Sequence, residues 1–322
     1  MKLKSVNCSF LTPNDIVKLN LANIQTTEQL ITHSDLESLS RQTTIPLKQL
    51  KTIKKQIIGE YSPFPEPANI LLDKYVKNLF IIQTGSSQID DLLSNGFYSG
   101  EISEITGLSS SGKSQLCFQL ISNMVIKHKN YSCLYIDSNK NFCHHRIIQL
   151  FEQQSSHLKT NQEEKSKILK LIKTVECSNV FDLIDILFEI SKNNSKCPHD
   201  SIEAPNLLII DSISPLFSIF KQNSYTEINF YLNYVSSQLK YLCNNHRMAV
   251  VVVSNLTKSF NLTNNPIWSN VPSLIVCLKN VYNEINERKV ERKFELIKCN
   301  RPFRNEMSSN FVFFKIDKNG FI

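Results

Sequence analysis

The eight residues Gly107-Leu108-Ser109-Ser110-Ser111-Gly112-Lys113-Ser114 satisfy G-x-x-x-x-G-K-[ST] at every fixed position, and few short patterns restrict a fold so tightly. Such a loop wraps an anion with its backbone N–H groups and hands it to a helix N-terminus, so it needs a buried strand before it and a helix after it. Both are legible: 101–106 reads as a strand and 115–126 as an amphipathic helix. Lys113 is then placed to reach the β- and γ-phosphates, and Ser114 to ligate Mg²⁺, making ATP with Mg²⁺ the expected ligand pair. Glycine usage agrees. The chain has seven glycines and five lie between Gly85 and Gly112, which keeps glycine where the backbone must adopt positive φ or approach a ligand closely.

A phosphate loop of this kind works with an acidic partner for the metal. Asp211 closes the apolar run Leu207-Leu208-Ile209-Ile210, at the carboxyl end of a buried strand, where ligands bind in open α/β sheets. It is expected to hold Mg²⁺ through water. Strand-like runs at 101–106, 132–136, 207–210 and 249–253 alternate with amphipathic stretches such as 114–128 and 225–243. That alternation predicts a mainly parallel α/β sheet covered on both faces. From 272 onward only strands are read, at about 274–282, 292–298 and 311–316, so an antiparallel end to the sheet is expected.

Ahead of this core, Ile16, Leu19, Leu21, Leu30, Leu36, Leu39, Leu47, Leu50, Ile53 and Ile57 recur at helical spacings, and Thr12-Pro13 and Ser34-Asp35 resemble helix starts. Residues 1–60 are therefore expected to form a small helical domain. Three prolines within 62–67 predict an extended segment there, inside a linker placed at 61–78, with 79–322 as the α/β domain.

Composition excludes several classes. Apolar residues at 41% and charged residues at 20% suit a globular chain rather than a disordered or fibrous one. No apolar run approaches a membrane span, and the first ten residues are too polar for a secretory signal, so a soluble intracellular protein without membrane partners is expected. The nine cysteines lack metal-ligand spacing, although Cys143, His144 and His145 adjoin, and they are read as reduced structural thiols. A net charge of +7 permits an acidic partner without demanding one.

From Thr84 onward the chain resembles the RecA-like recombinase family. The resemblance is carried by Thr84-Gly85, Ile89-Asp90, Leu92-Leu93, Gly96, Gly100-Glu101-Ile102, Tyr135-Ile136-Asp137-Ser138, Asp211-Ser212 and Val250-Val251-Val252-Val253-Ser254-Asn255. Within that family Phe64-Pro65, Asp137-Ser138-Asn139 and Trp268-Ser269-Asn270-Val271-Pro272-Ser273 are most similar to the D paralogues of the eukaryotic recombinases. The resemblance implies a RecA-like ATPase fold and a nuclear role in repairing double-strand breaks by homologous recombination. It further implies ATP-dependent binding of single-stranded DNA, and a complex with other recombinase paralogues that assists the main recombinase. Lys113, Ser114 and Asp211 would bind ATP and Mg²⁺, Asn255 would sense nucleotide state, and loops at about 217–227 and 256–270 would face DNA.

Two departures stand against the recombinases proper. Asn139 occupies the position of the family's catalytic Glu. An amide takes no proton from water, and general-base assistance is worth about 10²–10⁴-fold, so weak DNA-dependent hydrolysis is expected unless another carboxylate such as Glu104 substitutes. The segment Phe64-Pro65-Glu66-Pro67-Ala68 also departs from the family's Phe-x-x-Ala filament pattern, which favours a heteromeric partner over a long filament. Candidate DNA contacts are Lys221, Lys258 and Trp268, the last able to stack on a base or to pack internally. Arg288, Lys289, Arg292, Lys293, Arg301 and Arg304 form the densest basic group, read either as a phosphate track or as a solvated hairpin face. The competing reading is a non-catalytic adaptor in which ATP only stabilises partner assembly.

Overall fold

The computed structural model describes residues 10–61, 65–128, 130–154, 162–192, 205–220, 225–256, 262–263, 265–282, 290–301 and 309–321. Two compact units divide between Lys74 and Tyr75.

The first unit is helical, and its sequence caps its own helices. Helix α1 (Pro13–Leu21) opens with a reciprocal capping box, in which Asp15 N–H donates to the Thr12 hydroxyl and Thr12 N–H donates to the Asp15 carboxylate. Thr26 and Gln29 repeat the device at α2 (Thr27–Thr32). Asp35 accepts from Glu37 and Ser38 at the start of α3 (Leu36–Thr43). Each satisfies N–H groups that a helix start leaves unpaired. With α4 (Leu47–Tyr61) these helices bury Leu19, Leu30, Leu39, Leu50, Ile53 and Ile57 in one cluster. Leu21 stays 81% exposed, because residues two apart lie on nearly opposite sides of a helix.

Of the extended segment expected at 62–67, 62–64 lie outside the described residues and 65–67 form no helix or strand, but the rest of the linker placed at 61–78 is helical. Helix α5 (Ala68–Asn78) occupies most of it, with the Pro67 carbonyl accepting from Ile70 and Leu71 at 3.0 and 3.2 Å. A proline loses nothing at a helix start, where its missing N–H would have no intrahelical partner.

In the second unit β1 (Ile81–Ile82) pairs antiparallel with β2 (Phe97–Tyr98) around α6 (Ser87–Leu92). There follow β3 (Ile102–Gly107), α7 (Lys113–Lys127), β4 (Cys133–Asp137), α8 (His144–Gln154), α9 (Gln162–Lys170), β5 (Ile172–Glu176) and α10 (Val180–Lys192). Then come β6 (Leu207–Asp211), a 3₁₀ turn (Ser214–Phe217), α11 (Tyr225–His246), β7 (Ala249–Val253), β8 (Leu274–Tyr282), β9 (Val290–Cys299) and β10 (Phe311–Phe314). The described chain ends in a hairpin of β11 (Ile316–Asp317) and β12 (Gly320–Phe321).

The central sheet has eight strands in the order β10-β9-β8-β3-β7-β6-β4-β5. Strands β4, β6 and β7 are largely apolar on both faces, and with β3, which carries Ser103, Glu104 and Thr106, they are fully buried, as a doubly covered parallel sheet requires. One face packs on α7 and α8, the other on α10 and α11. The antiparallel end expected from the sequence is present: β8 runs parallel to β3, β9 runs antiparallel to β8, and β10 runs antiparallel to β9. Register brings Asp137 and Asp211 opposite each other and sets Val253 beside Asp211, so the ends of β4, β6 and β7 share the edge from which the phosphate loop leaves β3. No helix of the described residues is long and apolar enough to cross a membrane.

Candidate functional site

Gly107 ends β3 and Gly112 caps α7 with φ of 106°. A Cβ on Gly107 would run into the Leu278 carbonyl, and one on Gly112 would displace the tip of the Ile316 side chain at a backbone φ that side chains rarely adopt. The glycines of the motif are therefore set by close packing as well as by backbone geometry. The loop forms one wall of a cavity of about 540 Å³, lined by Ser109, Ser110, Gly112, Lys113, Ser114, Gln115 and Phe118, with Asn139, Asp211, Asn255, Arg292 and Ile316 among the other residues.

Lys113 is buried and its ammonium donates to the carbonyls of Gly107 and Leu108 at 2.9 and 2.7 Å. Burial pulls its pKa below the usual lysine range, partly offset by the nearby Asp211 carboxylate. Asp211 enters the cavity from the end of β6 and accepts from the Tyr135 hydroxyl at 2.6 Å and from the Ser114 side chain. Burial raises its pKa against those two donors. An Asp carboxylate and a Ser hydroxyl meeting beside a phosphate loop fit Mg²⁺, which keeps several waters and takes few protein ligands. No cluster of three His, Cys, Asp or Glu side chains suited to a metal occurs among the described residues, so the cation would rest on Ser114, Asp211 through water, and the phosphates themselves.

Opposite the loop the lining is neutral. The Asn139 side-chain amide donates to the Ser212 hydroxyl at 3.2 Å, and the Asn255 amide donates to the same oxygen at 3.4 Å. Asn255 is held in turn by its N–H on the Ser214 hydroxyl at 3.0 Å. The Asp137 carboxylate accepts from the N–H groups of Asn139 and Phe142 at 3.0 and 2.8 Å. Among the described residues Asp211 is the one carboxylate lining the cavity.

Glu104 does not fill the role of a substitute base. It is fully buried away from the cavity and accepts from the Ser254 hydroxyl at 2.6 Å, the Thr263 hydroxyl at 2.9 Å and the Trp268 indole N–H at 2.9 Å. The same contact corrects the reading of Trp268 as a DNA contact, since its ring is fully buried in the core on the α11 side of the sheet. A lone tryptophan between two loops gives no sequence sign of which way it turns. Lys221 and Lys258 lie outside the described residues.

The basic group near the C-terminus is not one surface. Arg301 is buried, with its guanidinium on the Glu101 carboxylate at 2.9 Å, on the Gly96 carbonyl at 2.9 Å and on the Leu93 carbonyl, and it covers the Tyr98 ring. Lys293 pairs with Glu295 at 3.2 Å and sits over the Phe311 ring. Arg292 turns instead to the cavity. Arg288, Lys289 and Arg304 lie outside the described residues. Sequence reasoning missed Tyr135 and Ser212 as supports of the site, although both stand inside the motif segments that placed Asp211 and Asn139. It also missed Ile316, whose hairpin is fixed by Arg146 donating to the Asp317 and Lys318 carbonyls at 2.6 and 3.0 Å and to Gln115 at 2.8 Å.

The Rad51 family model matches residues 76–267. "DNA repair protein RAD51 homolog 4" of Mus musculus is 26% identical over 281 residues, covering 86% of this chain and 84% of that protein. "Probable DNA repair protein RAD51 homolog 4" of Dictyostelium discoideum is also 26% identical, over 310 residues, covering 84% of this chain and 86% of that protein. "DNA repair and recombination protein RadA" of Aeropyrum pernix is 28% identical over 144 residues, covering 44% of this chain and 41% of that protein. With a phosphate loop on β3, an Asp ending β6 and the family match spanning more than half its length, the chain belongs to the Rad51 family.

Proposed function

We propose that this protein acts in DNA repair by homologous recombination, as an ATP-dependent single-stranded-DNA-binding paralogue that holds nucleotide far longer than it hydrolyses it. The observation that carries the slow turnover is the pair of neutral amides, Asn139 and Asn255, that line the cavity and both donate to the Ser212 hydroxyl. Water beside a γ-phosphate there meets amides and a hydroxyl, none of which takes a proton at neutral pH. Lys113 and Asp211 with Ser114 supply the charge that binds and orients the triphosphate and its Mg²⁺. The likeness to proteins named DNA repair protein RAD51 homolog 4 supports the repair role, and the setting proposed for it is a nuclear complex of recombinase paralogues that assists the main recombinase.

The test compares ATP turnover and single-stranded DNA affinity for the wild type, Asn139→Glu and Lys113→Ala. Turnover near background in the wild type, rising at least tenfold in Asn139→Glu, with DNA affinity that depends on ATP and on Lys113, supports the proposal. Fast wild-type turnover sinks the account of Asn139. DNA affinity indifferent to nucleotide in the chain and in its paralogue complex favours an adaptor, in which ATP only stabilises assembly.

A further inference from the structure

Strand register puts one unclaimed cation at the nucleotide cavity. Gly107, at the mouth of the phosphate loop, pairs with Leu278 of β8, and Leu278 pairs with Phe294 of β9. Leu278 and Phe294 are buried in the core that packs on α7. Paired residues of an antiparallel ladder share a face, and side chains return to that face every second residue. Two residues further along, the facing pair is Asn280 and Arg292, with Phe314 of β10 opposite Arg292. The face that is apolar beneath α7 thus turns polar where the strands pass the phosphate loop.

Neither residue of that pair is bonded as a structural residue would be. The Asn280 Oδ1 and Arg292 Nε atoms are buried and have no hydrogen-bond partner among the described residues. A buried guanidinium donor left unpaired is costly. Arg301, two residues past the end of β9, shows the alternative, with all three of its nitrogens engaged by Glu101, Leu93 and Gly96. Arg292 instead lines the cavity together with Ser109, Ser110, Gly112 and Lys113, and among the described residues only Lys113 matches its charge there.

We propose that Arg292 is the second cation of the nucleotide site and binds the phosphate chain of a nucleoside triphosphate. This rests on the reading of the cavity as the ATP site. A planar guanidinium offers two parallel donors to phosphate oxygens, which the point charge of Lys113 does not. Its placement on β9 also couples the antiparallel end of the sheet to nucleotide, because a bound phosphate would give the Arg292 guanidinium an acceptor that the described residues do not supply at Nε.

The experiment titrates the full chain with ATP in the presence of Mg²⁺, using wild type, Arg292→Gln, Arg292→Lys and Lys113→Ala. Arg292→Gln is expected to weaken ATP binding about tenfold or more, and Arg292→Lys only severalfold. In parallel, wild-type protein is treated with phenylglyoxal with and without ATP, and modification of Arg292 is read by peptide mapping; ATP should protect it. The proposal is overturned by unchanged ATP affinity in Arg292→Gln, by an equal loss in Arg292→Lys, or by absence of protection. Should Arg292→Gln fail to fold, the protection measurement on the wild type decides. A wild type that binds no ATP, or binds it as well with Lys113→Ala, removes the reading of the cavity itself rather than the assignment of Arg292 alone.

Discussion

Asp211 carries two opposed demands. In the role proposed for it, its carboxylate must be charged to hold a metal ion through water, yet it is buried at the end of β6 with the Tyr135 hydroxyl and the Ser114 side chain as its donors. Burial wins over those hydrogen bonds and raises its pKa above the ordinary 3.8. The linkage has a definite sign. Below about 3.8 the group is neutral in folded and unfolded chains alike, and its contribution to stability is fully present; as pH rises through the elevated folded value, that stability is lost. Asp211→Asn removes the penalty while keeping an acceptor for Tyr135. The nucleotide-free variant is expected to melt above the wild type at neutral pH, by about 2–4 °C for each kcal/mol gained in a chain of this size. The gap should close as pH falls toward 3.8, and ATP should no longer raise the melting temperature of the variant. A melting temperature unchanged at neutral pH would show that the charge is not a burden in the folded state.

Glu104 shows at the scale of elements how the loop after β7 is tied to the strand that enters the phosphate loop. One carboxylate on β3 gathers Ser254, Thr263 and Trp268 from 254–268, and each bond spans at least 150 residues of chain. Glu104→Ala strands buried donors, at about 1–3 kcal/mol for each one left unsatisfied, whereas Glu104→Gln keeps an acceptor. Trp268 is the sole tryptophan, so its emission reports this contact directly. Urea titration followed by tryptophan fluorescence should give a lower midpoint for Glu104→Ala, a smaller loss for Glu104→Gln, and a red-shifted native emission in the Ala variant. Identical midpoints for both would mean the carboxylate holds nothing. Elements of this core were legible where one local rule decided them: β7 and β6 up to Asp211 are unbroken apolar runs, and the loop motif fixed β3 and α7. The edge strand β5 escaped because its residues are largely exposed and show no apolar signature. The direction of β8 escaped because strand polarity depends on pairing, not on composition. Arg292 and Lys293 looked like one basic patch in sequence, and strand alternation sends them to opposite faces.

The whole molecule consists of two compact units, and the nucleotide residues all lie in the one from Tyr75 onward. The helical unit has its own core of Leu19, Leu30, Leu39, Leu50, Ile53 and Ile57, capped by its own side chains. A ligand stabilises only what binds it, by about 2.7 kcal/mol at a free concentration of 100 times Kd. Calorimetry of the full chain is therefore expected to resolve two transitions, of which ATP with Mg²⁺ raises one and leaves the other in place. Leu50→Ala, which empties a buried site in the helical unit at a cost of about 2–5 kcal/mol, should lower the transition that ATP leaves unmoved. The same variant should bind ATP with wild-type affinity. A single transition that both ATP and Leu50→Ala displace would instead mean that the helical unit and the ATPase unit unfold as one, and that nucleotide at the phosphate loop is felt at the N-terminal helices.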